Sequence, residues 1–142
     1  MTLLVYAGAD RKSYMTPIEP RNTYAVGTPP IPSPGWRTMA IESTGGQPDP
    51  LHIAKGFGSI QIVMRGAIKV QVTGGALREW QGRPGDAFVF VDCEGDGHSA
   101  AVSDLEPFQA INVRLSDDWA QLKAAFDRWP DDARPYPAGI TL

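Results

Sequence analysis

The density and spacing of glycine and proline restrict the fold of this chain more than any other feature of its sequence. The 142 residues include 15 Gly and 13 Pro. Across the middle of the chain, these residues form turns at intervals of roughly 8 to 12 residues, separated by short segments that are apolar or alternate in polarity. Because short strands joined by tight turns form β-sandwiches and small barrels, the sequence predicts an all-β fold.

The clearest strands are predicted over residues 59–65 and 67–73, on either side of Gly66. Apolar and polar side chains alternate along the second segment, so one face of that strand is apolar. A run without polar residues at 87–91 predicts a strand that is fully or largely buried. Further strands are predicted over 2–7, 36–43, 98–102 and 108–115, with an edge strand near 22–26.

The two ends of the chain are expected to differ from its middle. Prolines recur throughout residues 16–35 and oppose both regular helix and central sheet, which predicts an N-terminal arm. Near the other end, Ser116 is a suitable N-cap, and apolar residues then recur on one helical face until Pro130. The predicted organisation is a single domain over 1–142, made of an arm (1–35), a barrel (36–115), a helix (116–129) and an extended tail (130–142).

Charge and cysteine content exclude several classes of function. The net charge is -3 and there is no run of Lys or Arg, so the electrostatic footprint of a nucleic-acid binder is missing. The apolar stretch at the N-terminus is too short for a signal peptide or a membrane span. We therefore expect a cytoplasmic protein with neither nucleic acid nor membrane as a partner. Cys93 is the sole cysteine, which excludes an intrachain disulfide and a Cys-rich zinc site.

Two spaced motifs resemble those of the cupin family. The family's first motif, a glycine, two histidines, a glutamate and a second glycine, falls on Gly46, His52, Ala54, Ser59 and Gly66. The second motif starts at Gly85 and leads to His98, two residues later than the family spacing. The resemblance covers residues 40–115. It implies an antiparallel double-stranded β-helix, or jelly-roll barrel, in which three histidines and a glutamate hold a divalent metal.

The chain departs from the family at the metal ligands. Ala54 has no donor atom, and the neutral hydroxyl of Ser59 replaces a carboxylate. A catalytic metal centre commonly uses three protein ligands and one open position, whereas only His52 and His98 remain here. We therefore expect no cofactor. The alternative is a divalent metal held by both histidines and by a carboxylate or thiolate from the loop 92–96.

Polar residues on the predicted strands indicate a candidate ligand site. A buried polar group without a partner costs ~1 to 3 kcal/mol, so several on one barrel face suggest ligand contacts or a hydrogen-bonded network. A one-residue bulge would reverse the faces of a strand and leave such residues in solvent. The predicted ligand-binding residues are Ser59, Gln61, Arg65 and Asn112, with Tyr24 and Trp36 either walling the pocket or packing the arm against the barrel.

Three functions remain open at this stage. The first is a barrel that binds a small organic molecule without a standard metal centre. The second is a metal-independent isomerase, lyase or cyclase that uses His98 or His52 as acid and base, because imidazole titrates near neutral pH. The third is a metal-dependent enzyme, such as a dioxygenase, with non-standard ligands. Exposed barrel edges and an apolar helix face also predict a homodimer.

Overall fold

Ten strands and one short helix make up the part of the chain that the computed structural model describes, namely residues 1–21, 35–41, 45–54, 58–102, 106–115 and 119–133. In chain order they are β1 (Thr2–Ala7), β2 (Ser13–Pro20), β3 (Trp36–Ile41), β4 (Ser59–Arg65), β5 (Ile68–Gln71), β6 (Glu79–Gly82), β7 (Ala87–Phe90), β8 (Ser99–Val102), β9 (Phe108–Arg114), α1 (Trp119–Ala124) and β10 (Phe126–Asp127). No helix within these ranges is long and apolar enough to cross a bilayer.

The strands form two sheets. The larger has seven strands in the order β10-β2-β1-β7-β4-β9-β3, and the smaller has three in the order β6-β5-β8. Among the pairs that involve described residues, β1 with β7 is parallel and the others are antiparallel. The two sheets do not join into one closed barrel in this part of the chain. This arrangement confirms the predicted all-β jelly-roll class.

An apolar core lies between the two sheets. Period-two alternation directs Leu3, Val63 and Phe88 of the larger sheet toward Ile68 and Val70 of the smaller one, and all five side chains are buried. Burying a side chain of this size contributes ~1.5 to 3 kcal/mol, so this core is the main stabilising layer. Its alternation also sets which polar side chains of β4, β8 and β9 face inward.

A second apolar layer covers the outer face of the larger sheet. Leu4 of β1 and Val89 of β7 pack there against Leu122 of α1, Phe126 of β10 and Trp129. The indole Nε1 of Trp129 donates a hydrogen bond of 2.8 Å to a backbone carbonyl four residues later. Apolar layers cover both faces of β7, which explains why this strand has no polar side chains. The predicted burial of the strand is confirmed.

The N-terminal region differs from the predicted arm over its first twenty residues. The strand at 2–7 is confirmed as β1, but Ser13–Pro20 forms β2, an antiparallel neighbour of β1 that was not predicted. Among the described residues, the outer edge of β2 pairs with the two residues of β10, and proline is tolerated at strand positions with few ladder partners. The edge strand predicted near 22–26 lies outside the described residues.

The C-terminal helix is shorter than the predicted 116–129. It spans Trp119–Ala124, after which Phe126 and Asp127 form β10 against β2. The backbone of Arg21 donates to the carbonyl of Ala125 at 2.9 Å, and Arg128 adopts a positive φ of 65° that a helix does not allow. Pairing with the sheet therefore replaces the last helical turns, while Leu122, Phe126 and Trp129 of the predicted apolar stripe still pack on the sheet.

Candidate functional site

His52 and His98 lie side by side on two neighbouring backbone segments. The His52 amide donates to the His98 carbonyl at 2.9 Å, and the His98 amide donates back to the His52 carbonyl at 2.8 Å. Gly97 permits this approach, because its φ is 75° and a Cβ there would collide with the carbonyl of His52. The two imidazole rings are 4.4 Å apart between centroids. The two histidines therefore share one site, as their motif positions suggested.

His98 is held on two sides. Its Nδ1 lies 2.7 Å from Oδ2 of Asp92, and both side chains are buried. The ring of Phe90 stacks on the imidazole with a centroid separation of 4.3 Å and an interplanar angle of 23°. The carboxyl group fixes one ring nitrogen and the phenyl ring fixes the ring plane, so the orientation of His98 is set by its neighbours.

Asp92 has few interactions for a buried carboxyl group. Burial raises its pKa above the ordinary value, and the hydrogen bond to His98 opposes that rise. Its second oxygen, Oδ1, is buried and has no hydrogen-bond partner among the described residues. An unpaired buried oxygen is costly, so the interaction with His98 is the contact that favours this carboxyl group in its ionised form.

The hydrogen bonds at Nδ1 decide where each histidine carries its proton. Nδ1 of His52 lies 3.0 Å from the carbonyl oxygen of Pro50, which can only accept, so the proton of the neutral ring is on Nδ1. The ionised carboxylate of Asp92 imposes the same tautomer on His98. In both rings Nε2 is then an acceptor. Asp49 lies near the His52 ring, with Oδ2 at 3.7 Å from Nδ1.

The two histidines line a cavity of about 200 Å³ between the sheets. Gln61 and Asn112, which are cross-strand partners on β4 and β9, line it together with Ser59. The side chain of Asn112 donates to the hydroxyl of Ser59 at 3.0 Å. Gln61 is only 5% exposed, yet its amide makes no hydrogen bond to any described residue. The structure thus brings together five of the residues that the sequence analysis selected.

A larger cleft of about 500 Å³ adjoins this cavity. The cleft and the cavity share Ser59 and Asn112 in their walls. The other side chains that line the cleft are Trp36, Arg37 and Arg114. Trp36 is 72% exposed and lies at the cleft.

Two predicted ligand-binding residues are not part of this group. Arg65 is exposed and lines neither the cavity nor the cleft, because the pairing of β4 with β9 shifts register between Val63 and Arg65. This is the bulge that the sequence analysis considered. Tyr24 lies outside the described residues.

No functional role was predicted for Phe90, Arg37 or Asp49, and Asp92 was included only as part of the loop 92–96. Asp92 and His98 are six residues apart and meet because the intervening turn reverses the chain. That distance is readily closed by a turn, but the sequence does not show which acidic residue of the loop points inward. Arg37 could have been predicted as a site residue from its position next to Trp36 on a predicted strand.

The side chains present do not fit the metal centre that the family resemblance implies. Within the described ranges, no group of three or more His, Cys, Asp or Glu side chains could hold a metal ion. Ala54 is buried without a donor atom, and the hydroxyl of Ser59 is engaged by Asn112. Burial, together with the charges of Asp92 and Glu94, raises the pKa of the Cys93 thiol to about 12, so a thiolate is disfavoured at neutral pH.

Two solved structures are similar to parts of this chain. No protein-family model and no curated protein matches the sequence. A crystal structure of a cupin-2 domain containing protein from Shewanella frigidimarina is 14% identical, with a TM-score of 0.40, and the match covers 57% of this chain and 69% of that one. A conserved protein of unknown function from Streptococcus pyogenes is 12% identical, with a TM-score of 0.36, over 69% of this chain and 96% of that one.

Replacing Asp92 by Asn is expected to remove a pH-dependent cost of folding. When the pKa of a carboxyl group is higher in the folded than in the unfolded protein, that group contributes to the stability of the fold. The contribution is complete at pH values below the unfolded-state pKa and is lost as pH rises through the folded-state pKa. The free energy of unfolding of the wild type, measured relative to D92N, should therefore fall as pH rises above the ordinary value of 3.8. The loss is about 1.4 kcal/mol for each unit by which the pKa is raised.

Denaturant unfolding across a pH series measures this difference, and Asp131 offers a control of opposite sign. Its ion pair with Lys123, at 2.6 Å, lowers the pKa of this exposed carboxyl group. The wild type should therefore gain stability relative to D131N as pH rises toward 3.8, the ordinary pKa of an Asp side chain. A difference between wild type and D92N that stays constant or grows with pH would contradict the environment described for Asp92.

Proposed function

We propose that this protein binds a small organic molecule in the cavity between its two sheets, without a standard metal centre. The observation that carries the proposal is Gln61, whose side chain is buried and lines the cavity but has no hydrogen-bond partner in the described part of the chain. Buried polar groups are paired in the great majority of cases. A ligand with polar groups would supply the missing partners.

The surrounding side chains support a ligand of mixed character. The cavity offers the amide of Gln61 and the imidazole nitrogens of His52 and His98, against apolar walls that include Ile68 and Phe90. Pockets with mostly apolar walls and a few convergent polar groups are typical binding sites for small molecules. His52 is 49% exposed, so the site can be reached from solvent on its side.

The volume of the cavity limits the size of what it encloses. Its 200 Å³ corresponds to roughly seven water molecules at ~30 Å³ each. A compact molecule, or one end of a longer molecule that continues into the adjoining cleft, fits this space. Ser59 and Asn112, which line both spaces, would then contact the middle of the longer molecule.

Replacing Gln61 by Met is expected to stabilise the free protein and to weaken binding. Met has nearly the same shape but no hydrogen-bonding amide, so the substitution removes a buried polar group without a partner and should raise the free energy of unfolding by about 1 kcal/mol. Denaturant unfolding without ligand measures this gain. A fragment screen followed by amide NMR should show hits that shift signals of the cavity residues in the wild type and bind more weakly to Q61M.

Q71M is the matched control. Gln71 lies on the smaller sheet, and its side-chain amide already donates a hydrogen bond of 3.1 Å to the carboxylate of Glu79. It should leave fragment binding unchanged and should not stabilise the protein. A loss of stability in Q61M would show that Gln61 has a structural role. Fragments that bind wild type and Q61M equally, or that shift only residues outside the cavity, would reject the proposed site.

A second candidate function is acid–base catalysis on the bound molecule, and the Asp92–His98 hydrogen bond favours it. The Asp92 carboxylate keeps the proton on Nδ1 of His98, so Nε2 can accept a proton from a carbon or oxygen atom of the ligand and later return it. The positive charge that forms on the ring is stabilised by the carboxylate. The amides of Gln61 and Asn112 would hold an oxyanion that develops on the ligand. The class of reaction is an isomerisation, elimination or cyclisation.

Proton exchange tests the catalytic candidate without knowledge of the substrate. Small ketones and 2-oxo acids are incubated with the protein in D₂O, and the loss of their α-proton signals is followed by NMR. The wild type should accelerate exchange, H98Q should reduce the acceleration by about 100-fold or more, and D92N should reduce it less. H52Q shows whether the second imidazole takes part. Equal exchange by wild type and H98Q would reject His98 as the base and leave the binding proposal intact.

A further inference from the structure

We infer that the molecule bound in the cavity is an organic anion, and that its carboxylate or phosphate group is held in the adjoining cleft by Arg37 and Arg114. This inference rests on the proposed binding function and names the class of ligand. In the register of β3, β9 and β4, residues that line the cleft lie directly beside residues that line the cavity.

One row of cross-strand partners connects the two spaces. Arg37 on β3 pairs with Asn112 on β9, and Asn112 pairs with Gln61 on β4. Directly opposed residues on neighbouring strands point to the same face of a sheet, so these three side chains share the inner face. The row spans two strand spacings of ~4.8 Å, or about 10 Å between its end residues. A molecule of a few carbon atoms can therefore reach from one end residue to the other.

The next row repeats the arrangement. Arg114 on β9 pairs with Ser59 on β4, and its amide donates to the Gly35 carbonyl at 2.9 Å. Arg114 lies two residues beyond Asn112 and so shares its face. The two rows place both guanidinium groups on the side of the cleft and the polar groups of Ser59, Gln61 and Asn112 on the side of the cavity.

The charge of the cleft is opposite to that of the whole protein. The chain carries a net charge of -3, yet the described residues that line the cleft include two arginines and no acidic residue. Arg114 already has an interaction partner, so Arg37 carries more of the argument. Arg37 is exposed and forms no ion pair with any described residue. A guanidinium group can hold a carboxylate or phosphate through two parallel hydrogen bonds.

The far end of the cavity favours a neutral group. Asp49 lies there beside His52, and its carboxylate would repel an anionic group of the ligand. The Nε2 acceptors of the two histidines and the carbonyl oxygen of Gln61 suit a hydroxyl or N–H donor. The site is therefore polarised, with the anion bound in the cleft and a hydrogen-bond donor in the cavity.

Matched probes test the charge of the ligand. Small aliphatic and aromatic carboxylic acids, their primary amides and the corresponding phosphate monoesters are titrated into ¹⁵N-labelled protein. The side-chain amide signals of Gln61 report occupation of the cavity, and the Nε–H signal of Arg37 reports the anion. Carboxylates, phosphates or both should bind about tenfold or more tightly than the amides. Added salt should weaken the binding of the anions and leave the binding of the amides unchanged. The relative affinities of carboxylates and phosphates show which group the cleft prefers.

Two arginine variants assign the effect to the cleft. R37Q should remove most of the preference for anions over amides, about tenfold, while leaving amide binding unchanged. R65Q is the matched control, because it removes the same charge from an exposed position that lines neither space. Equal losses in R37Q and R65Q would show that only the net charge matters and would overturn the inference.

The outcomes separate the inference from the proposal on which it rests. Amides that bind in the cavity as tightly as the matched anions would overturn the anion inference and support the binding function. If no probe of any class shifts the Gln61 amide signals, both the binding function and the anion inference are wrong.

Discussion

The site depends on the antiparallel backbone bridge between His52 and His98. The two hydrogen bonds of this bridge hold the segment before β4 along β8, where Asp49 also pairs with Ala100. Without that contact, His52 and the residues that line the cavity beside it would have no fixed position. The bridge in turn requires Gly97, since any side chain there would collide with the facing carbonyl group. A backbone constraint thus places two imidazole rings together.

The interior combines apolar side chains with buried polar ones. Apolar side chains fill one end of the space between the sheets, while Ser59, Gln61 and Asn112 occupy inner positions of β4 and β9 near the other end. Among the described residues, the buried Oδ1 of Asp92 beside His98 has no hydrogen-bond partner. Unpaired buried polar groups destabilise a fold, and they are expected where a protein keeps groups available for a ligand.

Much of the fold was predictable from local pattern. Alternating polarity and glycine turns identified six of the strands, and an uninterrupted apolar run identified a seventh, the buried β7. The strand β2 was missed because its prolines oppose sheet formation in general, whereas the open edge of the larger sheet tolerates them. The end of the helix was misplaced because pairing of Phe126 and Asp127 with β2, a contact distant in sequence, outweighs the local helical pattern. Among the site residues, the inward face of β4 was predicted correctly up to Val63. Beyond Val63, a register shift takes Arg65 away from the cavity, and no local sequence pattern predicts that shift.

Asp92 and Pro50 fix both histidines with the proton on Nδ1, which leaves Nε2 as an acceptor. Long-range ¹H–¹⁵N correlation spectra of the imidazole rings, recorded at about pH 8, test this assignment. The account predicts that Nδ1 of His52 and His98 is protonated and that Nε2 is not, and that D92N changes this pattern for His98 alone. A proton on Nε2 of His98 in the wild type would contradict the account, because that nitrogen could not then accept a proton from a bound molecule.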